Sequence, residues 1–300
     1  MFQQLGLIGC GLMGGSFALA LKRAGLVKHV VGYSKSPSTT ERARRAGVID
    51  TAAESALLAV AGSDIVLLAV PVAATESTFK AIRHLVEPEV LFMDVGSTKR
   101  DVVEAARRAL KERIGSFVPA HPIAGKEKAG VNHADADLYT GRQVILTPLP
   151  QTDALLLQKA ADTWAAIGAQ VIRMSPDSHD AALAAVSHLP HLLAFAFYNA
   201  VAKQPGGEEF LSLAGPGFRD FTRIAASDPT IWRDILLANR EETLKQSMRF
   251  RHALEALELV MRSGNAEALE DLIRSASDGR AAWQMSSPRP HAPAAVPPLR

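Results

Sequence analysis

Over the first 174 residues the apolar positions fall into short runs separated by stretches of helical character, and beyond them helical spacing continues almost alone. The runs are residues 5–8, 29–34, 64–71, 90–95, 117–122, 143–147 and 170–174. The run at 64–71 is nearly continuous, as expected of a parallel strand covered on both faces. Between the runs, residues 17–23, 41–46, 75–85, 100–113 and 155–167 read as helices; Phe79, Ile82 and Leu85 show the spacing. Strands alternating with helices predict an α/β fold built on a doubly wound, mainly parallel sheet.

From residue 175 to about 280 the pattern is all helical. A long apolar helix is expected to open at Ser187-His188-Leu189-Pro190-His191 and run to Val201, with further helices at 231–249, 254–261 and 266–275. Gly206-Gly207 and Gly215-Pro216-Gly217 punctuate the connections. The expected organisation is an α/β domain over 1–174 and an all-α domain over 175–285. The stretch 286–300 holds five prolines and reads as a disordered tail.

The first run leads into Gly9-Cys10-Gly11-Leu12-Met13-Gly14 and then straight into a helix. Strand, G-x-G-x-x-G, helix is the Rossmann-type dinucleotide-binding arrangement. Gly9 makes the tight turn, Gly11 lets backbone approach a pyrophosphate, and Gly14 lets the helix pack on the strand. The helix N-terminus offers free N–H groups to the phosphates. Gly9, Gly11, Leu12, Met13 and Gly14 are therefore the candidate cofactor-binding residues.

Composition narrows the class. With 48% hydrophobic and 21% charged residues and a net charge of +2, the chain has the balance of a soluble enzyme and no basic stripe for nucleic acid. Charges and prolines interrupt each apolar run, so no membrane span is expected. The chain starts in a strand, so no signal peptide is expected. The single cysteine, Cys10, excludes an internal disulfide framework and fits the cytoplasm. Its place in the glycine loop calls for a small residue, not a nucleophile.

Ligands of an open α/β sheet gather at the carboxyl ends of its strands. Two polar clusters fall there: Asp94-Val95-Gly96-Ser97-Thr98-Lys99 and His121-Pro122-Ile123-Ala124-Gly125-Lys126-Glu127. His121 suits proton transfer near neutrality, or it merely caps its strand. In the helical half, His188 and His191 are three apart, but no third ligand accompanies them, so no metal is expected. Arg219 and Arg223 are both candidates to clamp a carboxylate.

With these motifs in fixed order, together with Gly217-Phe218-Arg219-Asp220-Phe221-Thr222-Arg223 and Ile231-Trp232, the chain resembles the prephenate/arogenate (cyclohexadienyl) dehydrogenases of tyrosine biosynthesis across roughly residues 3–280. The resemblance implies oxidative decarboxylation of prephenate or arogenate, with hydride transfer to a nicotinamide dinucleotide. It makes His121 the catalytic base, with Ser97 bonded to the imidazole or the substrate. It gives Arg223 a substrate carboxylate and places His191 in the pocket lining. It sets His179 and Glu127 at the pocket entrance and brings Trp232 toward the site, with the partner subunit as one origin. It also implies a homodimer through the helical domain; only the proline-rich tail follows that domain, so no fused regulatory or mutase domain is expected. A β-hydroxyacid dehydrogenase is the rival enzyme, but the catalytic lysine those enzymes share has no matching motif here. A nucleotide sensor without catalysis is the rival from another class; His121 and Ser97 argue against it.

The cofactor choice follows from the second strand. An NAD site places Asp or Glu at its tip, to accept from the ribose 2′-OH. Here the strand ends Gly32-Tyr33-Ser34 and no acid stands there. Ser34, Lys35 and Ser36 offer donors and a positive charge, with Arg42 and Arg44 following. The expectation is NADP in preference to NAD.

Overall fold

The computed structural model describes residues 1–85, 87–126 and 128–284. Glu127 and the proline-rich stretch 286–300 lie outside the described residues. Backbone contacts divide the chain into a compact unit Met1–Asn239 and a second unit from Arg240 onward.

The first unit starts with β1 (Phe2–Ile8), α1 (Leu12–Arg23), β2 (Val27–Tyr33), α2 (Pro37–Arg45), β3 (Thr51–Ala52), α3 (Ala56–Val60), β4 (Ile65–Leu68), α4 (Thr75–Ile82), β5 (Leu91–Asp94), α5 (Arg100–Leu110) and β6 (Phe117–Val118). These strands form one parallel sheet in the order β3-β2-β1-β4-β5-β6. The order reverses between β1 and β4, and a crevice opens at that switch, outside the carboxyl ends of the strands. Side chains along the strands alternate between two cores. Leu5, Leu7, Ile65, Leu67, Leu91 and Met93 face one layer, which also buries Phe17 and Trp164. Ile8, Val66, Leu68 and Phe92 face the other, with Phe79, Ile82 and Val102 from α4 and α5. Both faces are covered, which explains the unbroken apolar runs.

The apolar stretch 117–122 departs from expectation. It is two strands, because the chain leaves the parallel sheet at Pro119. Phe117 and Val118 pair with β5, whereas β7 (Ala120–Pro122) pairs antiparallel with β8 (Gln143–Leu146), and β8 pairs parallel with β9 (Gln170–Arg173). α6 (Ala154–Ala166) connects β8 to β9, and Trp164 packs its ring 4.7 Å from Phe17 and 5.1 Å from Tyr139, centroid to centroid. His121 thus sits inside a strand, held by register with Ile145.

The helices that follow are α7 (Pro176–Leu183), α8 (Leu189–Lys203), α9 (Gly207–Ser212), α10 (Pro216–Thr222) and α11 (Pro229–Ala238). A π-helical turn, Ala184–His188, joins α7 to α8, so Pro190 does not start a new helix. The continuous run Pro176–Lys203 is long and apolar enough, by length and composition, to cross a membrane. This corrects the expectation that every apolar stretch is interrupted: the wider turn absorbs the proline. In the second unit, α12 (Arg240–Ser263) and α13 (Ala266–Ala282) pack as a hairpin. The break expected between 249 and 254 is absent; it falls at Asn239.

Candidate active site

The glycine loop has the geometry its composition demands. Gly9 adopts φ +98°, and a Cβ there would lie 2.1 Å from the carbonyl oxygen of Ala69, so a side chain is barred twice over. A Cβ on Gly14 would lie 2.2 Å from the Gly9 carbonyl oxygen, which enforces close helix–strand packing. At Gly11 an added Cβ meets no protein atom within 4 Å, because it points into open space. Tyr139 steadies the loop by donating its hydroxyl to the Met13 carbonyl at 2.7 Å, and Asp135 N–H donates to Ser16 Oγ at 2.9 Å. Cys10 is buried, and burial pushes its thiol up to about 11, so it stays protonated and non-nucleophilic.

Two cavities meet at the sheet switch. The first, about 350 Å³, is bounded by Gly11, Leu12 and Met13, by the loops after β4 and β5, and by Ile231 of α11. The second, about 330 Å³, is lined by His121, Pro122, His188 and Trp232 among others. Ser97 and Ile235 line both, so a ligand in the first abuts a ligand in the second at Ser97. A third cavity, about 530 Å³, lies at the tip of β2 and is lined by Ser34, Lys35, Thr40, Glu41 and Glu54.

A buried ion pair organises the floor. Lys99 Nζ lies 2.5 Å from Asp94 Oδ2 and donates to the Ala120 carbonyl at 2.7 Å. Asp94 also accepts from Gly96 N–H at 2.8 Å and from Ala120 N–H at 3.0 Å. One carboxylate and one ammonium therefore hold the end of β5, the Ser97 loop and the strand that carries His121.

The four histidines near the second cavity differ in their surroundings. His121 Nδ1 is 2.8 Å from His179 Nε2, and His179 Nδ1 is 2.7 Å from Asp180 Oδ1. The Asn239 amide donates to the Asp180 carbonyl at 2.8 Å and lies 3.0 Å from His188 Nδ1, which therefore accepts and leaves His188 an Nε2–H. His191 donates from Nδ1 to the Ser187 carbonyl at 2.9 Å and stacks on Trp232, with centroids 3.4 Å apart. Burial depresses the pKa of all four; for His121 the neighbouring His179, Lys99 and His188 push the same way. His188 is brought down to about 4. A histidine whose folded pKa is depressed refuses a proton that the unfolded chain takes up near pH 6.5, so its stabilisation is present above that pH and lost as pH falls. Between pH 6.5 and 5 the loss for His188 alone is roughly 2 kcal/mol, from about 1.4 kcal/mol per pH unit per proton. Thermal unfolding followed at pH 7 and pH 5 is expected to show a lower Tm at pH 5; equal Tm values contradict this account.

The structure gathers His121, Ser97 and Trp232 around one cavity. Ser97 makes no hydrogen bond to the His121 ring, whose Nδ1 is taken by His179. His179 is fully buried behind His121, not at the pocket entrance, because its two ring nitrogens are both engaged. Trp232 reaches the cavity from the same chain as His121 and needs no partner subunit for it. His191 stands behind Trp232, and Arg223 is near enough for its positive charge to lower the His191 pKa. Arg219 is exposed and pairs with Asp220 at 3.2 Å. Ser34 Oγ accepts from Cys10 N–H at 2.8 Å and its hydroxyl also faces the Cys10 thiol; Ser36 bonds to Ser38. Arg44 is tied to Glu41 by two 3.0 Å hydrogen bonds, and Arg42 turns back onto Ser38 and Thr39. Neither arginine is thus disposed toward the third cavity as the sequence had suggested. Among the described residues no cluster of three or more His, Cys, Asp or Glu side chains is arranged to hold a metal ion. Sequence reasoning missed Asp180, Asn239 and Arg100. The adjacency of His179 and Asp180 was the available signal for the first of them.

Comparison with known proteins gives a consistent result. Residues 17–173 match the family model described as prephenate dehydrogenase, nucleotide-binding domain, and residues 175–275 match prephenate dehydrogenase, dimerization domain. The chain is similar to a prephenate dehydrogenase of Bacillus subtilis, 35% identical across 91% of this chain and 74% of that one. It is 33% identical to a cyclohexadienyl dehydrogenase of Zymomonas mobilis, over 94% of this chain and 96% of the relative. The crystal structure of prephenate dehydrogenase from Aquifex aeolicus, in complex with hydroxyphenyl propionate and NAD+, superposes with a TM-score of 0.87 at 35% identity, covering 94% of this chain and 98% of that chain.

Proposed function

Because this chain belongs to the prephenate dehydrogenase family, we propose that it oxidatively decarboxylates prephenate, arogenate or both, with transfer of a hydride to NAD+ or NADP+. The observation that carries this reading is the junction of the two cavities at Ser97, with His121 on the wall of the second. The glycine loop fits a dinucleotide: the space that a Cβ on Gly11 would enter is open, and the N-terminus of α1 faces it with unpaired N–H groups. Gly9, Gly11, Leu12, Met13 and Gly14 would hold the pyrophosphate. When bound, the dinucleotide supplies the acceptor for the hydride that leaves the carbinol carbon.

The chain's own part is orientation and one proton. His121 Nε2 takes the hydroxyl proton as the carbinol becomes a ketone. The bond from the ring to its carboxylate then breaks, CO2 departs, and the electron pair passes through the ring to the former carbonyl oxygen. His121 returns its proton to that oxygen, giving the phenol, so no net proton is consumed. Ser97, between the two cavities, orients the substrate hydroxyl. Arg223 engages a substrate carboxylate, with Trp232 on the cavity wall and His191 stacked behind it.

The helical segment 175–285 supports a homodimer. Phe197, Tyr198, Phe210, Leu213 and Phe221 are all exposed in one chain, an amount of apolar surface that calls for a partner. A small-molecule biosynthetic reaction drawing on the cellular dinucleotide pool fits the cytoplasm.

For the cofactor, the Ser34 hydroxyl and the charge of Lys35 favour a 2′-phosphate, whereas Glu41 on the same wall is neutralised by Arg44 and Arg45. NADP is therefore the preferred partner and NAD the alternative. Initial rates with prephenate and arogenate, each with NAD+ and NADP+, test the function. Ser34→Asp is expected to shift kcat/KM toward NAD+ by roughly tenfold or more, since one repelled charge accounts for about 1.4 kcal/mol. A wild type that already favours NAD+ tenfold overturns the preference.

A further inference from the structure

Asp180 is the anchor of a one-way chain of hydrogen bonds. Its Oδ1 accepts from Lys99 N–H at 2.9 Å and its Oδ2 from Arg100 N–H at 3.0 Å. These are the first N–H groups of α5, which would otherwise lack partners, and the positive end of that helix favours the carboxylate. The Arg100 guanidinium adds a longer contact at 3.4 Å. With donors on both oxygens, Asp180 can only accept, so the proton in its 2.7 Å contact with His179 belongs to His179 Nδ1. A neutral imidazole carries one N–H, so His179 Nε2 is a lone pair, and the 2.8 Å contact with His121 takes its proton from His121 Nδ1. The His121 lone pair then lies on Nε2. Among the described residues no protein group bonds to that atom, and it is not sealed from the cavity.

We infer that His179 and Asp180 are positioning residues that hold His121 in the single tautomer able to accept a proton from a substrate hydroxyl. Without them an imidazole divides between two tautomers, one of which presents an N–H to the hydroxyl and cannot act as the base. The same contacts serve the next moment of the reaction. When His121 becomes an imidazolium, its Nδ1–H points at a lone pair backed by a buried carboxylate, which compensates the new charge and keeps the ring oriented until the proton returns to the product oxygen. Both residues are fully buried, and neither touches the cavity wall. His179 reaches the cavity only through His121, and Asp180 holds both His179 and the start of α5.

This inference rests on the reading of His121 as the base, and its test separates the two. In the full-length protein with ¹⁵N-labelled histidines, the His121 signals, assigned by their loss in His121→Asn, report the tautomer with no substrate present. The expected spectrum shows Nδ1 protonated and Nε2 bare. In His179→Phe, which keeps a ring but no nitrogen, that pattern is expected to be lost. If the wild type turns over substrate, His179→Phe should lower kcat by roughly 10- to 100-fold, part of what a positioned base supplies, with KM changed by less than about threefold. His179→Gln, whose side-chain oxygen accepts the same proton, should keep kcat within about fivefold of wild type. A His121 with its proton on Nε2 overturns the proposal, as does a His179→Phe enzyme with wild-type kcat, or a His179→Gln enzyme no better than His179→Phe. A wild type inert toward prephenate and arogenate overturns the assigned reaction and leaves the tautomer result standing.

Discussion

Replacing His121 with asparagine is expected to lower kcat by roughly 10²- to 10⁴-fold, the contribution of a positioned general base, while dinucleotide affinity stays near that of the wild type. The separation follows from the geometry. His121 lines the second cavity and not the first, so the cofactor site keeps all its contacts. Asparagine preserves a donor toward His179 but has no group that accepts a hydroxyl proton at neutral pH. Because burial and three neighbouring basic side chains depress the His121 pKa well below its ordinary value, the ring is neutral in the neutral range. Steady-state kinetics with the preferred substrate, and a binding titration with the dinucleotide, decide the matter. Near-normal turnover in the variant removes His121 from the mechanism.

Replacing Lys99 with methionine should have the largest effect on stability, a loss of roughly 3–5 kcal/mol, because it leaves the Asp94 carboxylate buried without its counter-charge. Lys99 is fully buried and Asp94 nearly so. At about 2–4 °C per kcal/mol for a chain of this size, Tm should fall by roughly 6–20 °C. The double variant Lys99→Met with Asp94→Asn should recover part of the loss, since the uncompensated charge is gone although the bonds to Gly96 and Ala120 are weakened. A single variant that melts with the wild type shows that the pair does not hold the floor of the site. The damage should also reach binding, because the pair ties the Ser97 loop to the strand that carries His121.

What could be read from the residues alone divides along physical lines. The strand–glycine–helix unit was legible because its chemistry is local: Gly9 and Gly14 are required by atoms within the motif or on the adjacent strand. The alternation of the two cores was legible as unbroken apolar runs. The switch at Pro119 was not, since Phe117 to Pro122 reads as one run and only tertiary pairing assigns its halves to different sheets. The burial of Lys99 was hidden too, because a lysine goes inside only when a partner such as Asp94 waits there. His179 was placed at the entrance by the family resemblance alone; its contact with His121, 58 positions away, exists only in the folded chain. Asn239, between α11 and α12, looked like part of one helix, and its contacts with Asp180 and His188 exist only in the folded chain.

The most direct test of the central claim is the stoichiometry of a single reaction. Purified protein is mixed with prephenate or arogenate and a nicotinamide dinucleotide, and the reduced nicotinamide, the released CO2 and the aromatic product are measured together. The account predicts equal amounts of all three, with 4-hydroxyphenylpyruvate formed from prephenate or tyrosine from arogenate. Reduced nicotinamide without CO2 would mark a simple hydroxyacid dehydrogenase, and no reduction with either substrate and either cofactor would mark a nucleotide-binding protein without this chemistry; each result contradicts the account.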